Sequence, residues 1–335
     1  MLTAVYAIVI FCLLIFVHEF GHFITARAVG IKVNEFSLGM GPKLLQFGKK
    51  ETRYSLRAFP IGGYVKMEGE DEDSQDPRAF NNKSAPARAL VMAAGSIMNV
   101  VLAVVIVAIM AMVLGVYTTT LGSVSPGSPA ELAGLQAGDK VVEIDGERTT
   151  SWSQVTGIIS ASEGEEMSFV VKRDGERLTL SCAAAYDEEQ GRWLLGITTQ
   201  VSHGPFRGLA AGVTGCWDIM AAMVEYLGQL FTGHGSMEDL VGPVGIVSLI
   251  GDQARQGFLY IVNFTALISL NLAIINMLPL PALDGGRLLF LVIRLFTGRA
   301  ISDETEGKIH FIGLMLLFAL MIYLVVQDVD RFIFN

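Results

Sequence analysis

The sequence predicts a polytopic α-helical membrane protein with four transmembrane helices, a re-entrant β-hairpin and an inserted α+β domain. Hydrophobic residues make up 52% of the 335 residues, a share too high for a soluble enzyme of this size. Four apolar stretches each approach the roughly 20 residues that cross a bilayer. Between the second and the third stretch, the composition changes to short strands separated by turns.

Hydropathy places the spans along the chain. They cover Leu2–Ala28, Ala89–Leu114, Phe258–Leu278 and Ile309–Val326. The expected domains are an N-terminal membrane half (1–117), an inserted domain (118–202), an interfacial amphipathic region (203–257) and a C-terminal membrane half (258–335). The lipid bilayer is therefore the first expected partner.

Lysine and arginine predict the orientation. The loop between the first two spans carries eleven of the 24, whereas the longer segment before the third span carries eight. Cytoplasmic loops are enriched in these residues, so we expect this loop in the cytoplasm and both termini and the inserted domain outside. The net charge of −9 argues against a nucleic-acid partner.

The first span contains His18-Glu19-Phe20-Gly21-His22. On a helix, residues i and i+4 lie on one face, so His18 and His22 can bind one metal ion with Glu19 beside it as a general base. Charged groups inside a span cost roughly 2.5–3.5 kcal/mol each and indicate function. The alternative is that the span ends at Val17 and the histidines are interfacial.

A catalytic zinc takes three protein ligands and keeps one position open, so the two histidines need a partner. The best candidate is Asp284, which comes after Pro279 and Pro281 in a segment that is still apolar. The prolines are expected to break the third span at membrane depth. Taken alone, the segment is also compatible with a surface turn.

The segment Glu51–Met67 predicts a hairpin, because alternation over Thr52–Ala58 is followed by a turn at Phe59–Gly63. An ordinary cytoplasmic hairpin fits the pattern equally well. The apolar tip near the metal motif favours a re-entrant position, and the hairpin is expected to offer an open edge to which an unwound substrate adds as a strand.

The inserted domain has strand patterns, turns and a long motif. Strands are predicted at Leu121–Ser125, Lys140–Ile144, Met167–Lys172 and Arg177–Cys182. The run from Ser128 to Gly146 resembles the signature of a PDZ domain of the bacterial protease type. That resemblance implies binding of an extracytoplasmic peptide by strand addition. A degenerate module that only blocks access is the alternative.

Other polar residues in apolar surroundings carry weaker signals. Asn99 in the second span is expected to be an interhelical hydrogen-bond partner. The helical pattern over Pro205–Leu230 predicts an interfacial helix. His203, His234 and His310 each stand alone in the sequence, and we expect them to be solvated.

Taken in order, these motifs resemble the site-2 protease family of intramembrane zinc metalloproteases, in its bacterial regulator-of-sigma-E protease branch. The resemblance implies that His18, His22 and Asp284 bind Zn²⁺ and that Glu19 is the catalytic base. It also implies a set of residues around the substrate. These are Asn271, Asn276, Pro279 and Pro281, with Tyr54, Leu56, Gly62 and Gly63 of the re-entrant segment. The chain has room for one PDZ domain, where better-known members carry two.

The implied activity is that of a zinc metalloendopeptidase that cuts the transmembrane segments of single-span membrane proteins. Expected substrates are an anti-sigma factor or a remnant signal peptide, after a first extracytoplasmic cut in regulated intramembrane proteolysis. The implied location is the bacterial cytoplasmic membrane, with the site near its cytoplasmic side. Two alternatives are a non-catalytic PDZ receptor with a vestigial metal site, disfavoured by Glu19, and a metal transporter, disfavoured by the lack of a repeated half.

Overall fold

A computed structural model of the chain describes residues 2–48, 51–70, 74–236, 240–297 and 303–334. The chain divides into two compact units. One combines Met1–Val107 with Gly212–Asn335, and the other is Ala108–Ala211.

Helices dominate the first unit. They are α1 (Leu2–Ala28), α2 (Ala85–Leu114), α5 (Pro205–Phe231), α6 (Pro243–Gln256), α7 (Phe258–Met277), α8 (Asp284–Thr297) and α9 (Asp303–Val329), with α2 and α5 continuing into the second unit. Among the described residues, α1, α2, α7 and the stretch Thr305–Phe332 are long and apolar enough to cross a membrane. The four predicted spans are confirmed.

The third span ends where the prolines predict. Helix α7 stops at Met277, and Leu278 is extended with ψ of 141°. A residue before proline is disfavoured in the helical region, so Pro279 sets this end. The second span begins four residues earlier than predicted, with Pro86 in its first turn, where a missing amide removes no helical hydrogen bond.

The predicted hairpin within Glu51–Met67 is wrong in its pairing. The structure has two long antiparallel strands, β1 (Val33–Phe47) and β2 (Arg53–Met67). The two halves of β2 do not pair with each other across Phe59–Gly63. Instead Phe36 of β1 pairs with Tyr54 of the first half and with Val65 of the second. The partner strand was missed because Val33–Phe47 lacks strict alternation and contains two glycines and a proline.

This register shows which part of β2 lies at an edge of the sheet. The first half of β2 has β1 residues on both sides, since Leu56 pairs with Leu38 and with Leu45. Thr52–Ala58 is therefore interior to the sheet. The second half pairs with β1 on one side, and no other described strand lies beside it. Gly63–Met67 is therefore one open edge, and Lys43–Phe47 of β1, which among the described strands pairs only with the first half of β2, is the other.

The sheet packs on the end of α1 that carries the motif. Buried Phe23 and Ala26 of α1 contact Phe36 and Val65 of the sheet and Val91 of α2. Helices α1 and α2 approach closely at Gly21, where a Cβ would lie 2.8 Å from Met98 Cγ. Burial of this apolar cluster, at about 25 cal/mol per Å², holds the motif against α2.

Helices α6 and α9 are joined by a buried carboxylate. Asp328 Oδ2 accepts a hydrogen bond from Gly245 N at 2.8 Å, and Oδ1 accepts one from Gly242 N at 3.1 Å. The first amides of α6 lack helical acceptors, and this side chain satisfies two of them. A Cβ at Gly245 would lie 2.9 Å from Asp328 Oδ1, so the contact requires glycine.

The second unit is built on one antiparallel sheet. Its strands are β3 (Val116–Val124), β4 (Lys140–Ile144), β5 (Glu147–Arg148), β6 (Glu166–Arg173), β7 (Glu176–Ala183) and β10 (Ile197–Ser202), beside the short β8 (Ala185–Asp187) and β9 (Arg192–Leu194). The order is β10-β3-β4-β6-β7, with β5 paired to β4. Helices α3 (Pro129–Leu132) and α4 (Trp152–Ala161) complete it. The four predicted strands are confirmed.

Asp139, a buried carboxylate in this unit, pairs with the partly exposed Arg173. Asp139 is 1% exposed and accepts hydrogen bonds from Arg173 Nε at 2.7 Å and from Gln136 N at 2.9 Å. Burial by itself would raise the pKa of Asp139, but these donors hold it below its ordinary value.

We expect Asp139→Asn to destabilise this unit by about 2–3 kcal/mol, because Arg173 loses its charged partner while staying partly solvated. The native pKa of Asp139 is depressed, so its contribution is present above about pH 4 and is lost as the pH falls. Urea titration followed by hydrogen exchange checks this at pH 7 and pH 3.5. The exposed Glu188→Gln is the control, and equal stability of both variants at pH 7 contradicts the assignment.

Candidate active site

Helix α1 presents the motif on one face. His18 and His22 lie one turn apart, and their Nε2 atoms are 3.2 Å from each other. The chain returns to them at Asp284, the first residue of α8. Asp284 Oδ2 lies 3.2 Å from His18 Nε2 and 3.3 Å from His22 Nε2. Three potential ligand atoms thus converge within 4.8 Å.

The donor set fits a zinc ion. A tetrahedral site with bonds of 2.0–2.2 Å separates its ligand atoms by about 3.3–3.5 Å, close to the spacing of these three atoms. Asp284 Oδ2 is buried and has no conventional hydrogen-bond partner among the described residues. Two imidazole nitrogens and a carboxylate oxygen that converge in this way form a donor set suited to a zinc ion.

The histidines are oriented through their other ring nitrogens. His22 Nδ1 lies 2.8 Å from the Val91 carbonyl oxygen, which only a protonated Nδ1 can use, so Nε2 keeps its lone pair for a metal. The Asn99 amide lies 3.3 Å from His18 Nδ1. Asn99 is thus an interhelical partner, as predicted, and the residue it contacts is a candidate ligand.

Asp284 is held in place at the first residue of α8. Its position depends on a tight turn, since Gly286 N donates to Leu283 O at 3.1 Å. A Cβ at Gly285 would lie 2.5 Å from the Met277 carbonyl carbon, so glycine is required there.

Glu19 faces the same space as the three ligands. A Cβ at Gly63 would lie 3.0 Å from Glu19 Cγ, so the second half of β2 passes directly beside this carboxylate. A cavity of about 510 Å³ joins them. Its lining comprises His18, Glu19, His22, Gly63, Tyr64, Val65, Lys66, Met67, Glu70, Phe80, Val91, Met92, Asp284 and Arg287.

The other predicted substrate residues lie elsewhere. The cavity includes Gly63 from that set, and it does not include Tyr54, Leu56, Gly62, Asn271, Asn276, Pro279 or Pro281. Their roles stay predictions. Sequence reasoning missed the ion pair between Glu70 and Arg287 at the cavity wall. The signal for Arg287 was its position one helical turn after Asp284.

Comparison with known proteins decides the family. The sequence model of the family described as "Peptidase family M50" matches residues 6–320. This chain belongs to peptidase family M50. A Clostridium acetobutylicum protein is 39% identical over 97% of this chain and 96% of its own length. The zinc metalloprotease RasP of Geobacillus kaustophilus is 30% identical over 97% of each chain.

A further relative is the regulator of sigma-W protease RasP of Bacillus subtilis, 31% identical over 98% of each chain. Among solved structures, the PDZ domain of an SdrC-like protein from Listeria innocua is 27% identical, covers 27% of this chain and 97% of its own, and has a TM-score of 0.23. The M50 membership and the named relatives make this chain a zinc metalloprotease of a bacterial membrane.

Gly95 of α2 lies against both imidazoles, and a Cβ there would lie 2.6 Å from His18 Nε2. We expect Gly95→Ala to lower zinc affinity at least tenfold, because the added methyl group displaces the imidazole rings of His18 and His22. Zinc content after dialysis against a graded chelator measures this. Gly215→Ala, with open space around it in α5, is the control. Equal zinc retention by both variants contradicts the arrangement.

Proposed function

We propose that this M50 protease hydrolyses peptide bonds within the transmembrane segment of single-span membrane proteins. The observation that supports this most directly is that His18, Glu19 and His22 lie on α1, a helix long and apolar enough to span a bilayer. Asp284 of α8 meets them at one cavity. The residues needed for hydrolysis would then lie at the same membrane depth as the transmembrane segment of the substrate.

The residues divide the work. His18, His22 and Asp284 would hold the zinc ion, which when bound polarises the attacking water and the scissile carbonyl. Glu19 lies beside them and would take a proton from the water and deliver it to the leaving amine. Val91 and Asn99 orient the two rings. The apolar cluster of Phe23 and its neighbours excludes bulk water from one side.

Replacing Glu19 by Gln tests the base. The amide keeps the shape and cannot accept the proton, so we expect cleavage of a model single-span substrate to fall by about 10²- to 10⁴-fold. Zinc content stays at the wild-type level, because Glu19 is not among the converging ligand atoms. The assay uses purified protein in detergent with both readouts on one sample. Near wild-type turnover would exclude Glu19 from this role.

A helix must be unwound before a protease can cut it, and Gly63–Met67 offers a strand edge for the unwound segment. This edge lies next to Glu19 and lines the cavity. An extended peptide added here gains main-chain hydrogen bonds in place of the helical ones it loses. Strand addition at this edge, rather than at Thr52–Ala58, therefore forms part of the proposal.

The peptide partner of the PDZ domain is proposed at β10. This strand ends the sheet and pairs with β3 alone among the described strands, so its other side is open to an extracytoplasmic peptide.

The lysine and arginine distribution supports the orientation with this domain and both termini outside and the site near the cytoplasm. Anti-sigma factors and remnant signal peptides are the proposed substrates within regulated intramembrane proteolysis.

Strand addition predicts that helix-breaking residues speed cleavage. Each central Leu→Gly change in a model substrate lowers the cost of unwinding by about 1 kcal/mol, which corresponds to about a fivefold gain in rate. Initial rates are compared for an all-leucine span and a span with two central glycines, after insertion and binding are shown to be equal. Equal rates for the two spans contradict the unwinding step.

A further inference from the structure

The turn that precedes the proposed ligand Asp284 contains a strained residue. Ala282 has a φ of 73° and is among the few described non-glycine residues in the left-handed region. A Cβ disfavours this conformation, so the surrounding structure must hold it. It lies two residues before Asp284, where a change of backbone direction moves the carboxylate.

The holding contact comes from α9. His310 Nδ1 accepts a hydrogen bond from Ala282 N at 2.8 Å. This corrects the expectation that His310 is solvated, since its side chain is 19% exposed and packs against the Phe290 ring. The two residues are 28 positions apart in the chain, so no local sequence pattern indicates this contact.

The state of the imidazole suits this role. Glu306 Oε1 lies 3.9 Å from His310 Nε2, one turn along α9. The amide of Ala282 donates to Nδ1, so Nδ1 is unprotonated and the neutral ring carries its proton on Nε2. Glu306 lies too far from Nε2 for a hydrogen bond, and Arg294 of α8 pairs with Glu306 at 3.3 Å.

A second contact on the same face of α9 brings this helix close to the turn before Asp284. Gly313 lies three residues after His310, and a Cβ there would lie 2.9 Å from Pro281 O. Residues i and i+3 share one face of a helix, so His310 and Gly313 touch consecutive residues of the turn together. Packing at Gly313 sets the distance, and the His310 hydrogen bond sets the conformation.

We propose that His310 is a positioning residue that holds Ala282 in its left-handed conformation and thereby aims Asp284 at the zinc site. The inference rests on the proposed function, because it takes Asp284 as a ligand. It assigns to the last span a part in building the metal site from outside the ligand set. The loss of this hydrogen bond lets the turn relax and weakens zinc binding without removing a ligand.

The test measures zinc affinity of the full-length protein by chelator competition, with cleavage as a second readout. We expect His310→Ala to weaken zinc binding about tenfold, the smallest loss typical of removing a group that orients a metal ligand. His310→Asn, whose amide oxygen can accept, should recover part of the affinity. Ile312→Ala, at an exposed position of the same helix, is the control.

The background variant Ala282→Gly separates positioning from general packing. Glycine adopts a positive φ without strain, so His310→Ala should cost clearly less affinity in that background. The inference is overturned if His310→Ala binds zinc like the wild type, or loses equal affinity with alanine and with glycine at 282. If His310→Ala fails to fold, His310→Leu, which fills more of the space and cannot accept a hydrogen bond, gives the same comparison in the two backgrounds. Asp284→Asn is the separate check, because retained zinc there overturns the proposed ligand set instead.

Discussion

Two imidazoles and two carboxylates are gathered in an otherwise apolar bundle, and much of the first unit serves to hold them together. Such groups are tolerated at depth only where they satisfy one another or a cation. The three potential ligand atoms therefore depend on partners in α2, α8 and the sheet. Val91 orients one ring, Asn99 contacts the other, and Gly95 leaves room for both.

The convergence of the three candidate ligands is predictable from the sequence, because each of them carries a local signal. The spacing of His18 and His22 places both on one face of a helix, and Pro279 predicts that the third span ends before Asp284. The spans and the strands of the inserted domain are predictable for the same reason, since each is a periodic run bounded by turn residues. These signals do not indicate which distant residue completes each contact.

The sheet beside the site shows why the rest escapes prediction. Strand β1 has no strict alternation, so its pairing with both halves of β2 is set by tertiary packing on Phe23 and Val91 rather than by local pattern. Consequently the first half of β2 is interior to the sheet and Gly63–Met67 is at an edge, which the alternation over Thr52–Ala58 does not indicate. His310 is a similar case, because nothing local marks its contact with Ala282.

The carboxylate of Asp328 has a consequence for the order in which the protein is assembled. It accepts the hydrogen bonds of Gly242 and Gly245, which leave the ribosome more than eighty residues earlier. At about 5–20 residues per second, these amides wait roughly 4–17 s for their acceptor. The capping of α6 by Asp328 is therefore possible only after nearly the whole chain has been synthesised, which makes the docking of α6 on α9 a late event in biogenesis.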